Sequence, residues 1–433
     1  MNRSYQKQFK QTQSVFSRLF KKIFLTKKLQ ASKSSSLKTK IKFYLILIII
    51  LIISAFFTFW YFWEIPLLSP LSSLSKFKFL PASLSVKNHK KRIVYGFLPY
   101  WNLDDAIIQP ELTHLSYFGL QIGADGNIIT KNSDGTLHPG YNKLDSDRLI
   151  ELSRQINDTG NQVEIVLVQF DNDTIVKILN SPEAHNNLIT SLDSLLLAYP
   201  ISGINIDIEY TGEITEKLRK NFVILMEKIN QHLEQKYSDV KLSIDMYATA
   251  AYEEGLWDVD QIGKNVDYII VMAYDFHRRS STQAGPVAPL FAGEAAFDLD
   301  IHQNLRSFLS QVPKEKILLG VPFYGYEWQT ESRLQKSNTF PETGATATYK
   351  RVQKILQKKD ELQVQTGWDD AALSPYLSYI EDGEIWMIYY EDPTSISFKL
   401  EYVQQLDLAG IAIWALGYEG EHRELWDKIE ERI

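Results

Sequence analysis

Ile201-Ser-Gly-Ile-Asn-Ile-Asp-Ile-Glu209 is the stretch of this 433-residue chain from which the fold can be deduced. Isoleucines alternate with Asn205, Asp207 and Glu209, and a period of two predicts a β-strand with one apolar and one polar face. The turn signal at residues 210–212 places Glu209 at the carboxyl end of the strand. An edge strand whose polar face meets water would explain the alternation. In a parallel sheet covered on both faces, burying an amide and two carboxylates is costly and calls for a functional reason.

Seven further strand-like segments alternate with helical patterns after residue 92, which predicts parallel strands joined by right-handed crossovers. The eight predicted strands are Ile93–Leu98, Thr113–Leu120, Val163–Phe170, Ile201–Glu209, Val240–Tyr247, Val266–Tyr274, Ile317–Phe323 and Gly410–Ala415. The clearest helical patterns are Ser146–Asn157, Glu183–Ala198, Ile214–Gln235, Leu299–Gln311 and Ser397–Gln405. This order predicts an α/β fold, a (β/α)8 TIM barrel formed by residues 92–433. Active sites of such barrels lie at the carboxyl ends of the strands, where Glu209 is expected.

Residues 325–384, between the seventh and eighth predicted strands, are too many for one helix and its loops. Tyr349–Leu362 has a helical pattern, and Gln363–Ile380 is rich in aromatic residues and strand formers. We therefore predict an α+β insertion at the top of the barrel. Three of its aromatic residues could form a wall of a groove or, more commonly for aromatics, the insertion's own core. These are Trp368, Tyr376 and Tyr379.

The first 63 residues differ in character from the rest of the chain. Residues 1–42 contain 12 Lys and Arg and no Asp or Glu, whereas the remainder contains 34 basic and 53 acidic residues. Residues 43–63 carry no charge, and a helix of that length matches a hydrocarbon core about 30 Å thick. We predict a transmembrane helix over 43–63, a cytoplasmic tail over 1–42 and an extracytoplasmic domain. A cleaved signal peptide fits less well, because the apolar segment is long and no small-x-small site follows it.

The sequence on either side of this apolar segment leaves the role and any cytoplasmic partner of the basic tail open. Residues 64–91 are rich in serine and proline and are predicted to form a flexible linker. The basic tail could lie on an anionic leaflet or only set the topology, and nucleic-acid binding is less favoured than either. The chain has no cysteine, which excludes disulfides, cysteine-ligated metal sites and thiol nucleophiles. We expect no cofactor and no metal.

The spacing of Asp207 and Glu209 constrains the chemistry. Both leave the predicted strand on one face, with their Cα atoms about 6.5 Å apart. An ordinary retaining glycosidase has its two carboxylates on opposite sides of the anomeric carbon, which these positions cannot easily achieve. A sugar with a 2-acetamido group can supply the nucleophile itself, while Glu209 protonates the leaving oxygen and Asp207 holds the amide N–H. Repulsion between the carboxylates would raise one pKa and keep the acid protonated near neutrality.

These residues resemble the Asp-x-x-Asp-x-Asp-x-Glu signature of the family 18 glycoside hydrolases, the chitinase family. Other segments resemble the same family in the same order over roughly residues 92–430. They are Tyr95–Trp101, Met272–His277, Ala284–Leu290, Gly320–Gly325, Trp368–Ala371, Pro375–Tyr376, Tyr390–Ile396 and Gly410–Leu416.

The resemblance implies roles for individual residues. Glu209 would be the acid/base, Asp207 would orient the acetamido group, and Tyr274 would donate a hydrogen bond to its carbonyl. Trp414 would form the floor beneath the sugar, although a tryptophan at a strand end is often a core residue. The other residues implied at the substrate site are Asp275, Met272, Asn205, Phe97 and Trp101.

The chain also departs from the family pattern. Ser202 and Asn205 stand where the signature has its first and second Asp. Val168–Asp171 replaces the Ser-x-Gly-Gly of the third strand, and Tyr326 replaces an arginine after the seventh. An Asn at the second position is also found in peptidoglycan-active relatives such as the spore cortex-lytic glucosaminidases, which shifts the expected substrate from chitin towards peptidoglycan.

The sequence therefore predicts a membrane-anchored, extracytoplasmic hydrolase of β-1,4-linked N-acetylglucosamine glycans, retaining and substrate-assisted, acting on chitin-like oligomers or peptidoglycan. The alternative is a catalytically silent, lectin-like protein on the same barrel, which Ser202 favours and the retained Glu209 disfavours. Transglycosylation is a weaker third possibility. The sequence leaves open whether cleavage is endo or exo, and which oligomeric state the protein adopts.

Overall fold

The computed structural model describes residues 92–291 and 300–433. Its strands, in chain order, are β1 (Ile93–Pro99), β2 (His114–Gln121), β3 (Gln162–Gln169), β4 (Gly203–Ile208), β5 (Lys241–Tyr247), β6 (Tyr268–Met272), β7 (Ile317–Pro322), β8 (Tyr324–Gln329), β9 (Ala345–Thr348), β10 (Gln365–Asp369), β11 (Ser374–Glu381), β12 (Glu384–Tyr389) and β13 (Gly410–Trp414). Its α-helices are α1 (Pro139–Lys143), α2 (Asp147–Asp158), α3 (Asn172–Asn180), α4 (Pro182–Ala198), α5 (Glu216–Lys236), α6 (Val259–Gly263), α7 (Ile301–Leu309), α8 (Tyr349–Gln357), α9 (Pro393–Leu406) and α10 (Glu424–Arg432). Short 3-10 helices cover Tyr100–Asn102, Ala248–Ala251 and Lys314–Lys316.

Eight parallel strands close into a barrel in the order β1-β13-β7-β6-β5-β4-β3-β2. The ends of each strand lie within two residues of the predicted ones. Helices α2, α4, α5, α7 and α9 correspond to the five clearest helical patterns. The predicted TIM barrel is therefore confirmed, and its eighth strand is β13.

Strand β4 lies inside the barrel wall and not at an edge. It pairs with β3 on one side and with β5 on the other, with Asn205 opposite Val166 and Ser243. Its isoleucines are buried, and so are Asn205 and Asp207. Because alternate side chains of a strand point to opposite faces, the isoleucines face the surrounding helices and the polar side chains face the barrel interior. The edge-strand interpretation is thus wrong.

The helix that follows β4 shows why these elements form. The side chain of Thr215 caps α5 by accepting a hydrogen bond from the backbone N–H of Leu218. Apolar residues three or four positions apart are buried along one face of the helix: Leu218, Phe222, Leu225, Met226, Ile229 and Leu233. This periodicity gives the helix an apolar face that packs against the rest of the fold and an opposite face that meets solvent.

An α+β insertion lies between barrel strands β7 and β13. Its antiparallel sheet has the order β10-β11-β12-β8-β9, and its strands and helix α8 extend over residues 324–389, somewhat beyond the predicted 325–384. Residues of the sheet and of α8 share a core that includes Val352, Leu377 and Tyr379. Tyr379 is therefore a core residue. Trp368 packs against Phe398 instead of lining a groove of the barrel.

The N-terminal predictions stay untested by this structure. The tail (1–42), the predicted transmembrane helix (43–63) and the linker (64–91) lie outside the described residues, as does Leu299 of the predicted helix Leu299–Gln311. Within residues 92–291 and 300–433, no helix combines the length and the apolar character that a membrane crossing requires.

Candidate active site

A cleft of about 390 Å³ opens at the carboxyl ends of the barrel strands. Four carboxyl groups line it, and aromatic side chains form much of the rest of its wall. The carboxyl groups belong to Asp207, Glu209, Asp245 and Asp275. The predicted residues Met272, Tyr274, Trp101 and Trp414 also line this cleft.

Strand β4 brings Asp207 and Glu209 together as expected. The backbone N–H of Glu209 donates to the carbonyl oxygen of Gln169 at 3.0 Å, which fixes the end of the strand against β3. Asp207 is 3 % exposed, and its Oδ1 has no hydrogen-bond partner among the described residues. Burial, followed by the charges of Asp245 and Glu209, raises the pKa of Asp207 well above its ordinary value.

Opposing influences act on Glu209. Burial raises the pKa of its carboxyl group, whereas a hydrogen bond from Tyr247 and the positive charge of Arg278 oppose that rise. Burial prevails, so the pKa is raised overall. A carboxyl group with a raised pKa remains protonated at a pH where an exposed glutamate has lost its proton, and it can therefore act as a general acid.

Asn205 lies beneath Asp207 and is fully buried. Its Nδ2 donates to Ser243 Oγ and to Asp245 Oδ1, both at 3.0 Å. The predicted role in substrate binding therefore becomes an indirect one, because Asn205 does not reach the cleft surface.

Asp275 is held by two tyrosines of β8. Its Oδ1 accepts hydrogen bonds from Tyr324 and, at 2.9 Å, from Tyr326. Tyr326 is the residue that stands where the family pattern has an arginine, and its hydroxyl donates to Asp275. Tyr274, next to Asp275 in the chain, lines the cleft, and burial raises the pKa of its hydroxyl.

Aromatic residues form one wall of the cleft. The ring of Trp414 lies 4.7 Å from that of Phe118 and 6.5 Å from that of Trp101, which is 51 % exposed at the rim. Phe97, by contrast, is 1 % exposed and belongs to the barrel interior, 5.7 Å from Trp414. It supports Trp414 from below and does not line the cleft.

The departures from the family pattern lie at distinct places. Ser202 precedes β4, where its Oγ contacts the backbone of Val163. Asp207 lies five positions further along the strand, or about 16 Å away. The residues of the altered third strand include Phe170, which lines the cleft, and Asp171, which caps α3. Ser202 therefore leaves the cleft itself intact.

The sequence interpretation missed Asp245 and Tyr247, which reach the cleft from β5. A signal was present, because Ser243, Asp245 and Tyr247 alternate with apolar residues just as the polar residues of β4 do. Arg278 and Tyr324 gave no local signal, because the loop after β6 and the start of the insertion bring them to the cleft. Within the described residues no cluster of His, Asp and Glu side chains is arranged to hold a metal ion.

Comparisons with known proteins agree with this architecture. The sequence model described as "Glycosyl hydrolases family 18" matches residues 87–419. The Bacillus subtilis protein named "Putative sporulation-specific glycosylase YdhD" is 24 % identical over 312 residues, which are 71 % of this chain and 66 % of that protein. The chain thus spans just under two thirds of this relative.

Solved structures share the fold at low sequence identity. The Group IV chitinase of Ostrinia furnacalis matches with a TM-score of 0.69 and 21 % identity, covering 78 % of this chain and 99 % of that one. The spore cortex-lytic enzyme SleL of Bacillus megaterium matches with a TM-score of 0.61 and 18 % identity, covering 79 % and 74 %. With the family match extending over most of the sequence, the chain belongs to glycosyl hydrolases family 18.

Proposed function

We propose that this protein hydrolyses glycans that contain β-1,4-linked N-acetylglucosamine, with retention of configuration and with the substrate's acetamido group as nucleophile. The observation that carries the proposal is the arrangement of Asp207 and Glu209, which enter one cleft from the same face of β4. Asp275 is engaged by two tyrosine hydroxyls, and Asp245 is buried and engaged by the Asn205 amide, so both are poorly suited to attack a sugar. The nucleophile is therefore sought in the substrate.

Each group in the cleft has a step to perform. Protonated Glu209 donates its proton to the glycosidic oxygen as the bond to the anomeric carbon breaks. The acetamido oxygen attacks that carbon, and Asp207 accepts the amide N–H while its charge stabilises the oxazolinium ion. Tyr274 donates to the acetamido oxygen, and Trp414 supports the sugar ring. The Glu209 carboxylate then deprotonates a water molecule. This water attacks the anomeric carbon and opens the oxazolinium ring.

The substrate class is proposed from shared chemistry. Relatives of this chain are named as chitinases and as a spore cortex-lytic enzyme. Chitin oligomers and peptidoglycan strands both present β-1,4-linked N-acetylglucosamine, the unit that the Asp207, Glu209 and Tyr274 arrangement suits. We include both in the proposal.

The site of action is proposed from the sequence. Residues 43–63 carry no charge and follow a tail with 12 basic and no acidic residues. This pattern supports a single membrane anchor with the N-terminus in the cytoplasm and the barrel outside. Protease added to intact cells should remove the barrel and spare an epitope tag at residue 1. Protection of the barrel would contradict this orientation.

The central experiment compares products by mass spectrometry. The full-length protein is given N-acetylglucosamine oligomers, purified peptidoglycan and cello-oligomers in parallel, with Glu209→Gln as the matched variant. Cleavage of an N-acetylated substrate should fall by about 100-fold or more in the variant, because it has no proton to donate. Comparable cleavage of cello-oligomers would contradict the role of the acetamido group. Calorimetric binding of oligomers without any product would instead identify a lectin.

A further inference from the structure

Strand β5 places a second buried carboxyl group beside Asp207. The register pairs Asn205 with Ser243 and Ile206 with Ile244. Continued by one residue, it sets Asp245 beside Asp207, on strands about 4.8 Å apart. Asp245 is 2 % exposed and Asp207 is 3 % exposed. These two carboxyl groups are therefore neighbours in the barrel interior, although they are distant in the sequence.

Asn205 fixes the orientation of Asp245. Its Nδ2 donates to Asp245 Oδ1 at 3.0 Å and to Ser243 Oγ at 3.0 Å. Since the carbonyl oxygen of a carboxylic acid is a better acceptor than its O–H oxygen, the amide N–H favours a proton of Asp245 on Oδ2. Asn205 occupies the place of the signature's second Asp. In this chain, therefore, β4 carries an amide at that position, and the carboxyl group next to it is Asp245 on β5.

The surroundings of this pair favour a shared proton. The groups that act most on the pair, or on which it acts most, are acidic or phenolic: Glu209 on the strand of Asp207, Glu164 on β3, Tyr95 on β1, Tyr247 on β5 and Tyr274 after β6. Asp275 and Arg278 line the same cleft. In the described part of the chain, no lysine or arginine is among the groups that shift the pKa of either carboxyl group, and the nearby Arg278 acts on Glu209 and Tyr247. Two adjacent buried carboxylates without a cation cannot both be charged at low cost.

We infer that Asp245 is the positioning residue for Asp207: the two carboxyl groups hold one proton between them, and this proton moves to Asp245 when positive charge develops on the bound sugar. The O–H bond of Asp207 breaks as the O–H bond on Asp245 Oδ2 forms, and no other reactant is needed. Asp207 then carries the full negative charge and accepts a hydrogen bond from Asp245. The inference rests on the proposed function, since Asp245 acts on the reaction only through Asp207.

The two protons of such a pair leave at macroscopic pKa values that bracket the pKa of a lone carboxyl group in the same place. Removal of one carboxyl group therefore has two opposite consequences. In a variant without the Asp245 carboxyl group, Asp207 ionises only at a higher pH than the first ionisation of the wild-type pair. Its proton nevertheless leaves at a lower pH than the second proton of the wild-type pair. A purely structural role for Asp245 predicts neither.

The test compares the wild-type full-length protein with Asp245→Asn and with the exchange Asn205→Asp/Asp245→Asn. The asparagine at 245 can still accept the Asn205 N–H, which preserves the packing. We expect Asp245→Asn to lower kcat on an N-acetylglucosamine tetramer by about 10- to 100-fold with little change in KM, the effect of losing one hydrogen bond to a charged group. The acid limb of the kcat profile should move to higher pH. The exchange should recover part of kcat and move the limb back.

Two results would overturn the inference. One is an Asp245→Asn variant whose kcat, and whose acid limb in the pH profile of kcat, are those of the wild type. The other is a loss of kcat with an unmoved limb that the exchange does not recover, which would indicate packing alone.

A measurement independent of turnover separates this inference from the proposed function. Urea unfolding between about pH 5 and 9 should show the wild type losing stability relative to Asp245→Asn at the alkaline end, because the wild type holds its proton longer. A wild type that cleaves no N-acetylated substrate but shows this divergence contradicts the proposed function and supports the shared proton. Parallel stability profiles would refute the shared proton whatever the activity.

Discussion

Tyr247 on β5 donates a hydrogen bond to Glu209, the residue that follows β4. Burial raises the pKa of Glu209, and the hydrogen bond from Tyr247 acts against it. The neighbouring strand thus tunes the proposed general acid, although nothing in the sequence around Glu209 indicates this contact.

The Tyr247→Phe variant should extend activity to higher pH. Without the hydroxyl the carboxylate form of Glu209 loses a stabilising hydrogen bond, so the pKa of Glu209 rises further. A general acid works below its pKa, and the alkaline limb of the kcat/KM profile should therefore move upward. Tyr199→Phe is the control, because that hydroxyl contacts Asp145 outside the cleft. An alkaline limb that stays in place or moves downward would contradict the assignment of Glu209.

The Tyr274→Phe variant should lose activity without losing stability. Its hydroxyl is proposed to donate to the acetamido oxygen and so to hold that oxygen in position to attack the anomeric carbon. Losing the hydrogen bond that positions the nucleophile corresponds to a fall of about 10- to 100-fold in kcat. Tyr402→Phe is the buried control, because that hydroxyl contacts His302 at 2.7 Å and not the cleft. Equal losses of kcat in the two variants would indicate a general effect on folding.

The altered third strand supplies an aromatic side chain to the cleft, and its role in binding can be tested with a matched pair of variants. Phe170 is 48 % exposed, lines the cleft and stacks on Phe118 at 6.4 Å. Phe340 is 42 % exposed and lines a separate groove. Phe170→Ala should raise KM for long oligomers by about 3- to 10-fold, as expected for one lost aromatic contact. Phe340→Ala should leave KM unchanged, and equal effects would refute a binding role for Phe170.

The sequence sufficed for features that depend on local periodicity. Alternation along β4 gave the common face of Asp207 and Glu209, because side-chain direction in a strand follows from position alone. The same rule located the barrel strands.

Local periodicity does not predict how deep a side chain lies within the barrel or which side chains on neighbouring strands are in contact. Phe97 and Asn205 face the interior as expected but lie one layer too deep to meet a substrate. The neighbours of Asp207 and Glu209 on β5 depend on strand register, which tertiary packing sets. Arg278 and Tyr326 reach the cleft through the path of a loop and an insertion, and no repeating pattern encodes such paths.

Glu164 should make the stability of the protein fall as pH rises. It is fully buried on β3 and accepts hydrogen bonds from Tyr95 at 2.7 Å and Ser243 at 3.4 Å. Burial raises its pKa from 4.5 to about 7. Between these values the folded state holds a proton that the unfolded state has released. The free energy of unfolding is therefore largest below the unfolded pKa, and this contribution is lost as pH rises through the folded pKa.

The Glu164→Gln variant removes this dependence and keeps a side chain that can accept the Tyr95 hydroxyl. Over the window from about pH 5 to pH 8, the wild type should lose roughly 2 to 3 kcal/mol of stability relative to the variant. Urea unfolding at both pH values measures the difference, with Glu253→Gln as an exposed control. The charge of Glu164 also raises the pKa of Asp245, so the measured difference includes this coupling. Identical pH dependence in wild type and Glu164→Gln would mean that Glu164 is charged in the folded protein, and a compensating cation would then have to be found.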